Sequence, residues 1–165
     1  MNRRTAIATV TACLAVPIIN AQSPRQPADK TKTIVFLCRY GSAKSVLAAR
    51  FFNRMAAEQG LPYRGVARGI EPESTIPPYV REPIRSDGFE IGVDEKPVAL
   101  DIAETRKASS VVAIMCKLPA AHSTVARESI EWTDVPDVSD GYSAARDRIV
   151  AHVKELVNQL ALPSK

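Results

Sequence analysis

The sequence is poor in aromatic residues and in cysteine. Phenylalanine, tyrosine and tryptophan make up 5% of its 165 residues, which argues against a surface that stacks nucleic-acid bases. Its three cysteines are too few for a disulfide scaffold, and no spacing of cysteine, histidine and acidic residues is typical of a metal site. No internal repeat is present, which excludes a solenoid. The net charge of +4 is small, so it does not imply a nucleic-acid partner.

The N-terminus resembles a secretory signal. Arg3 and Arg4 precede an uncharged, mostly apolar stretch at 5–19, and Ala21 offers a small residue for cleavage. The stretch is shorter than the about 20 residues that span a membrane. We therefore predict a signal peptide over 1–21 and an exported protein, periplasmic or secreted, with no membrane segment in its mature domain. An uncleaved N-terminal membrane anchor is the alternative. The polar, proline-containing segment 22–32 is predicted to be a linker.

The remaining residues, 33–162, have the composition of one globular domain in which strands alternate with helices. A continuous apolar run at 110–115 is typical of a strand buried on both faces of a parallel sheet. The pattern predicts an α/β fold, a three-layer α/β/α sandwich around a four-stranded, mostly parallel sheet. The predicted strands are 33–37, 63–68, 110–115 and 129–132, and the predicted helices are 42–59, 77–88, 102–108 and 141–160.

The loop between the first strand and the first helix reads Cys-Arg-Tyr-Gly-Ser-Ala-Lys-Ser, from Cys38 to Ser45. Backbone amides at the start of a helix form a cradle for anions, and Arg39 and Lys44 add positive charge. The loop therefore suits a tetrahedral oxyanion next to a cysteine. It is not a nucleotide-binding loop, because Cys38 and Ala43 replace both required glycines, and no cofactor is predicted. The alternative is an inert buried cysteine at a strand end.

This loop and the order of segments resemble the low-molecular-weight protein tyrosine phosphatase family, which includes thioredoxin-coupled arsenate reductases. The family places C-x-x-x-x-x-R-[ST] directly after its first strand, and this chain has Cys38, five intervening residues, Lys44 and Ser45. The likeness covers most of 33–160. It implies that Cys38 is the nucleophile and that Ser45 activates it. It also implies that a phosphorylated substrate or inorganic oxyanion is held by Arg39, Tyr40, Gly41, Ser42, Ala43 and Lys44.

Three positions depart from the family pattern. Lys44 replaces an arginine whose planar fork holds two oxygens, so we expect slower turnover or a different oxyanion. Gly41 stands where asparagine is usual, and glycine still permits the positive φ that such a loop uses. Ala43 stands where many of these phosphatases carry a second, protective cysteine.

A transfer through cysteine also needs a proton donor for the leaving group. The family uses an aspartate in a late loop, usually within Asp-Pro. The corresponding stretch here is Trp132-Thr133-Asp134-Val135-Pro136-Asp137. Asp137 is the first choice as general acid and Asp134 the second. The alternative for Asp137 is that it merely caps the last helix.

The main prediction is a cysteine-dependent phosphatase of the protein tyrosine phosphatase type. An arsenate reductase is the first alternative, with Cys38 resolved by Cys116 or by an external thiol reductant. The third cysteine of the family's relay is missing, since 117–129 contains none. The alternative for Cys116 is an inert core thiol at a strand end. The second alternative is a domain that binds an oxyanion or a phosphoprotein without turnover, because Lys44 replaces arginine.

Overall fold

Four parallel strands form the centre of the fold in the computed structural model, which describes residues 31–162. The predicted signal peptide lies outside these residues, as does the predicted linker up to residue 30. No helix within 31–162 has the length and hydropathy needed to cross a membrane. The elements are β1 (Lys32–Cys38), α1 (Lys44–Glu58), β2 (Tyr63–Gly69), α2 (Pro78–Ser86), α3 (Ile102–Lys107), β3 (Ser110–Ile114), α4 (Ala120–Ser123), β4 (Ser129–Trp132) and α5 (Tyr142–Ala161).

The strands are arranged in the order β2-β1-β3-β4, and every neighbouring pair is parallel. The predicted parallel sheet is therefore confirmed. All five residues of β3 are buried, as the unbroken apolar run at this place predicts. Because the strands run the same way, the loops after β1, β3 and β4 all leave from one edge of the sheet.

Helices cover both faces of the sheet and produce the predicted three layers. On one face, α1, α2 and α5 pack over an aromatic cluster in which Phe36 lies 5.3 Å from Phe52 and 5.8 Å from Trp132, measured between ring centroids. On the other face, Val35 and Leu37 pack with apolar residues around α3 and α4. The helix α1, which follows the first loop, therefore packs against both the sheet and α5.

The start of α2 follows a local sequence signal, whereas α4 and the start of α5 do not. Pro78 is the first residue of α2, where its missing amide costs no hydrogen bond. Four-residue α4 was not predicted, because a single turn has no periodicity to detect. The residue that precedes α5 is Gly141, and no side chain caps this helix. Asp137 is therefore not a helix cap, contrary to the alternative interpretation of that residue.

Candidate active site

Cys38 is the last residue of β1, and its side chain is held next to the start of α1. Its Sγ lies 3.2 Å from Oγ of Ser45, the second residue of that helix. Both residues are buried, and Cys38 retains 6% exposure where it lines a pocket. A serine hydroxyl at this distance can donate a hydrogen bond to a thiolate, which is the nucleophilic form of cysteine. The predicted pair Cys38 and Ser45 is thus brought together.

In the loop that follows Cys38, the carbonyl groups of Arg39 and Tyr40 accept hydrogen bonds, whereas the amide groups are free within 31–162. The carbonyl of Arg39 accepts hydrogen bonds from the amides of Ile70 and Glu71, both at 2.9 Å, and the carbonyl of Tyr40 accepts one from Glu73 at 3.1 Å. Within 31–162, the amides of residues 39–44 donate to no carbonyl and to no side chain. Consecutive free amides at the start of a helix are a ready binding site for an anion.

The shape of the loop depends on close contact between two glycines. Gly41 has φ +66°, a backbone conformation in which a residue with a side chain is strained. A Cβ at this position would also lie 2.7 Å from the amide nitrogen of Gly69. A Cβ on Gly69, at the end of β2, would lie 2.8 Å from the amide nitrogen of Gly41. Gly41 was predicted from the loop, but Gly69 was missed, because only the folded chain brings the two together.

Lys44 and Asp137 form an ion pair across the mouth of the site. Lys44, the first residue of α1, is largely buried, with 15% of its side chain exposed, whereas Asp137 is 66% exposed. Asp137 lies in the loop between β4 and α5, so residues from two distant parts of the chain meet here. The structure places the predicted cation and the predicted first-choice acid side by side.

Asp134 is turned away from this pocket. Its carboxylate contacts Arg148 and lies 2.6 Å from Nε2 of His152, both on α5. The His152 ring stacks on Trp132 with 4.8 Å between centroids. Asp134 therefore ties its loop to α5, and the geometry favours Asp137 as the acid.

The pocket around Cys38 has a volume of about 430 Å³. Its outer wall carries Tyr40, Tyr79 and Met115, each of them close to half exposed. Met115, directly after β3, has φ +53°, an uncommon conformation for a residue with a side chain. Burial, and then the charges of Glu73 and Asp137, raise the pKa of Tyr79. Sequence reasoning missed Tyr79 and Met115, which carry no motif. The lining residues are Cys38, Arg39, Tyr40, Ser42, Ala43, Lys44, Tyr79, Ile114, Met115, Asp137, Val138 and Ser139.

Two carboxylates contact the loop from the segment after β2. Glu71 pairs with the exposed guanidinium of Arg39 at 3.2 Å, and Arg39 also stacks on the Tyr40 ring. Glu73 accepts a 2.5 Å hydrogen bond from the hydroxyl of Ser42. Neither glutamate was predicted, because neither belongs to the Cys38–Ser45 loop (the signature loop).

Cys116 is not one of the residues that line the pocket. Its thiol donates to the carbonyl of Leu37 at 3.7 Å, and both Cys38 and Cys116 are free thiols. Burial first, and then the neighbouring Cys38, raise the pKa of Cys116 to about 11. A thiol with this pKa is almost wholly protonated near neutral pH, so Cys116 is poorly suited to attack a bound intermediate. No group of three or more histidine, cysteine or acidic side chains within 31–162 is placed to hold a metal ion.

Fold and loop together define an α/β domain with a parallel sheet, in which a cysteine lies at the base of a loop of free backbone amides. No protein-family model matches the chain, and no curated protein sequence matches it either. Solved structures do match. The YwlE arginine phosphatase, in a mutant with a phosphorylated active-site serine, superposes with a TM-score of 0.67 at 18% identity, over 78% of this chain and 95% of the other.

Two further structures show the same likeness. An arsenate reductase in its phosphate-binding state has a TM-score of 0.65 at 15% identity, covering 79% of this chain and 100% of its own. The low-molecular-weight protein tyrosine phosphatase from Streptococcus pyogenes has a TM-score of 0.65 at 10% identity, covering 82% and 95%. At these identities the match establishes the fold. This chain has the fold that these phosphatases and arsenate reductases share, which confirms the resemblance inferred from its sequence at that level.

Proposed function

We propose that the domain is a cysteine-dependent phosphomonoesterase. The observation that carries this proposal is the position of Cys38: its sulfur lies at the base of the pocket, beside Ser45, where the loop leaves six consecutive amides free within 31–162. Such a site binds a tetrahedral oxyanion and presents its central atom to a nucleophile.

In the first step, the Cys38 thiolate attacks phosphorus, an S–P bond forms and the bond from phosphorus to the leaving oxygen breaks. Protonated Asp137 donates its proton to that oxygen, so the leaving group departs as a neutral alcohol or phenol. In the second step, a water molecule attacks phosphorus and gives a proton back to Asp137. The S–P bond breaks, which releases inorganic phosphate and regenerates the thiolate.

Lys44 neutralises charge on the oxyanion in this scheme. In the structure its ammonium group contacts Asp137, so a bound phosphoryl group competes with that carboxylate for Lys44. The exposed Tyr40, Tyr79 and Met115 supply an apolar wall for the leaving group. They favour an aryl phosphate such as phosphotyrosine over a small aliphatic one.

The test is hydrolysis of p-nitrophenyl phosphate by the purified protein. We expect turnover that Cys38→Ser abolishes while the fold, followed by circular dichroism, is unchanged. Thermal stabilisation of the protein by phosphate or vanadate without any turnover would instead favour the oxyanion-binding alternative.

An arsenate reductase remains the second candidate, since one of the matching structures is such an enzyme. The position and raised pKa of Cys116 argue against an internal relay, so this activity would need an external thiol to resolve Cys38. Arsenate-dependent oxidation of a supplied thiol that is independent of Cys116 would support it.

We also propose that the protein is exported. The support is the N-terminal sequence, in which Arg3 and Arg4 precede the uncharged stretch 5–19. Cell fractionation followed by N-terminal sequencing should find a chain that starts near residue 22 outside the cytosol. An intact cytosolic chain that starts at Met1 would contradict the proposal.

A further inference from the structure

The charged groups around the pocket do not balance. The cations Arg39 and Lys44 are each already paired with a carboxylate, Glu71 and Asp137 respectively. A third carboxylate, Glu73, has no cationic partner within 31–162. The rim therefore carries one uncompensated negative charge, next to a site proposed to bind a phosphoryl dianion and to hold a thiolate.

Glu73 is close enough to the pocket to act on a bound molecule. Its carboxylate is 2.5 Å from the hydroxyl of Ser42, a residue that lines the pocket. Its charge also acts on Tyr79 on the outer wall, since Glu73 is one of the groups that raise the pKa of that phenol. Glu73 itself is exposed, so it is open to a substrate group that enters from solvent.

An unpaired carboxylate at this place opposes the approach of a dianion unless the same molecule brings a positive charge. A substrate whose remaining groups are neutral or acidic gains no attraction from Glu73, and its phosphoryl dianion is repelled. A substrate with an ammonium or guanidinium group beside its phosphoryl group supplies the missing counter-charge. The hydrogen bond from Ser42 leaves the second carboxylate oxygen of Glu73 available for such a group.

We propose that Glu73 is a specificity-determining residue that selects phosphorylated substrates carrying a cationic group near the phosphoryl group. This inference rests on the proposed function of the same pocket. It goes beyond that function because it assigns a charge to the preferred substrate and a role to a residue outside the signature loop.

The experiment compares three phenyl phosphates whose para substituents are aminomethyl, methyl and carboxylate. Their kcat/KM values are measured with the native protein, Glu73→Gln and Glu128→Gln. Glutamine keeps a hydrogen-bond acceptor for Ser42 but removes the charge. Glu128 is an exposed glutamate directly before β4, at the opposite end of the sheet, and serves as the matched control.

The three phenols differ in intrinsic reactivity, so kcat/KM values are compared as ratios. For each protein, the kcat/KM of the aminomethyl substrate is divided by that of the methyl substrate. The readout is this ratio in the native protein divided by the same ratio in the variant. We expect this quotient to be about fivefold for Glu73→Gln, the Coulomb effect of one charge in a largely aqueous setting, and about one for Glu128→Gln. The carboxylate substrate should be the poorest for the native protein and should improve in Glu73→Gln.

A binding measurement separates this inference from the proposed function. Calorimetric titration of Cys38→Ser with the same three phosphates reports the preference without turnover. Turnover with an unchanged ratio in Glu73→Gln overturns the role of Glu73 and leaves the phosphatase standing. A further outcome is that the native protein shows no hydrolysis while binding shows a preference that Glu73→Gln removes. That result supports the role of Glu73 and overturns the phosphatase. Absence of both overturns both.

Discussion

Replacing Lys44 with arginine should make the domain a faster phosphatase. Lysine presents one ammonium group, and in the structure that group contacts Asp137. An arginine at the same place offers a planar fork that can donate two parallel hydrogen bonds to equatorial oxygens of the transferring phosphoryl group. The Lys44 side chain is 15% exposed, so solvent screens such bonds less than at an open surface.

One additional hydrogen bond between charged groups contributes about 1.5–3 kcal/mol. Part of that gain is lost, because the longer side chain must still be ordered beside the Asp137 carboxylate. A net gain of about 1.4 kcal/mol in the transition state corresponds to a rise of about tenfold in kcat. If the arginine bound substrate and transition state equally well, KM would fall and kcat would be unchanged.

The assay is steady-state hydrolysis of p-nitrophenyl phosphate by the native protein, Lys44→Arg and Lys154→Arg. Lys154 is an exposed lysine on α5, so its replacement should leave the rate unchanged. An equal or lower kcat in Lys44→Arg would refute the reasoning and indicate a loop adapted to a different oxyanion or to binding alone.

Three further outcomes are expected. Asp137→Asn should lower kcat by about a hundredfold through loss of the proton donor, whereas Asp134→Asn should stay within about threefold; equal losses would contradict the assignment. Gly69→Ala should destabilise the fold by about 1–3 kcal/mol in urea unfolding and impair phosphate binding, while Gly141→Ala, where a Cβ meets nothing within 4 Å, should be nearly neutral. Iodoacetamide at pH 7 should leave Cys116 unmodified in peptide maps and reach it only as the pH approaches about 11, since its thiolate forms there. Rapid labelling at pH 7 would contradict the raised pKa of this thiol.

Most of the fold followed from local patterns. The strands at 110–115 and 129–132 and the last helix were predicted within a residue or two, because apolar spacing reports burial directly. The parallel sheet followed from the alternation of strands and helices. The signature loop was equally visible, since Cys38 and Ser45 lie close together in the chain.

The rest of the site depends on contacts between distant segments. Nothing local in the sequence indicates that Lys44 meets Asp137, 93 positions later, or that Asp134 is drawn to α5 instead. Glu73 comes from the stretch between β2 and α2, and Tyr79 is the second residue of α2; neither position carries a motif. The fold places Glu73 beside the loop through the hydrogen bond from its amide to the Tyr40 carbonyl, and it places Tyr79 in the pocket wall.

The contact between Gly41 and Gly69 has a consequence for anyone who wishes to engineer this domain. The two backbones are in contact with no space for a side chain on either, so the signature loop and Gly69, the last residue of the edge strand β2, depend on each other for their positions. Transplanting a related loop with asparagine at position 41 would drive its Cβ into the neighbouring backbone. A successful graft must therefore carry the end of β2 along with the loop.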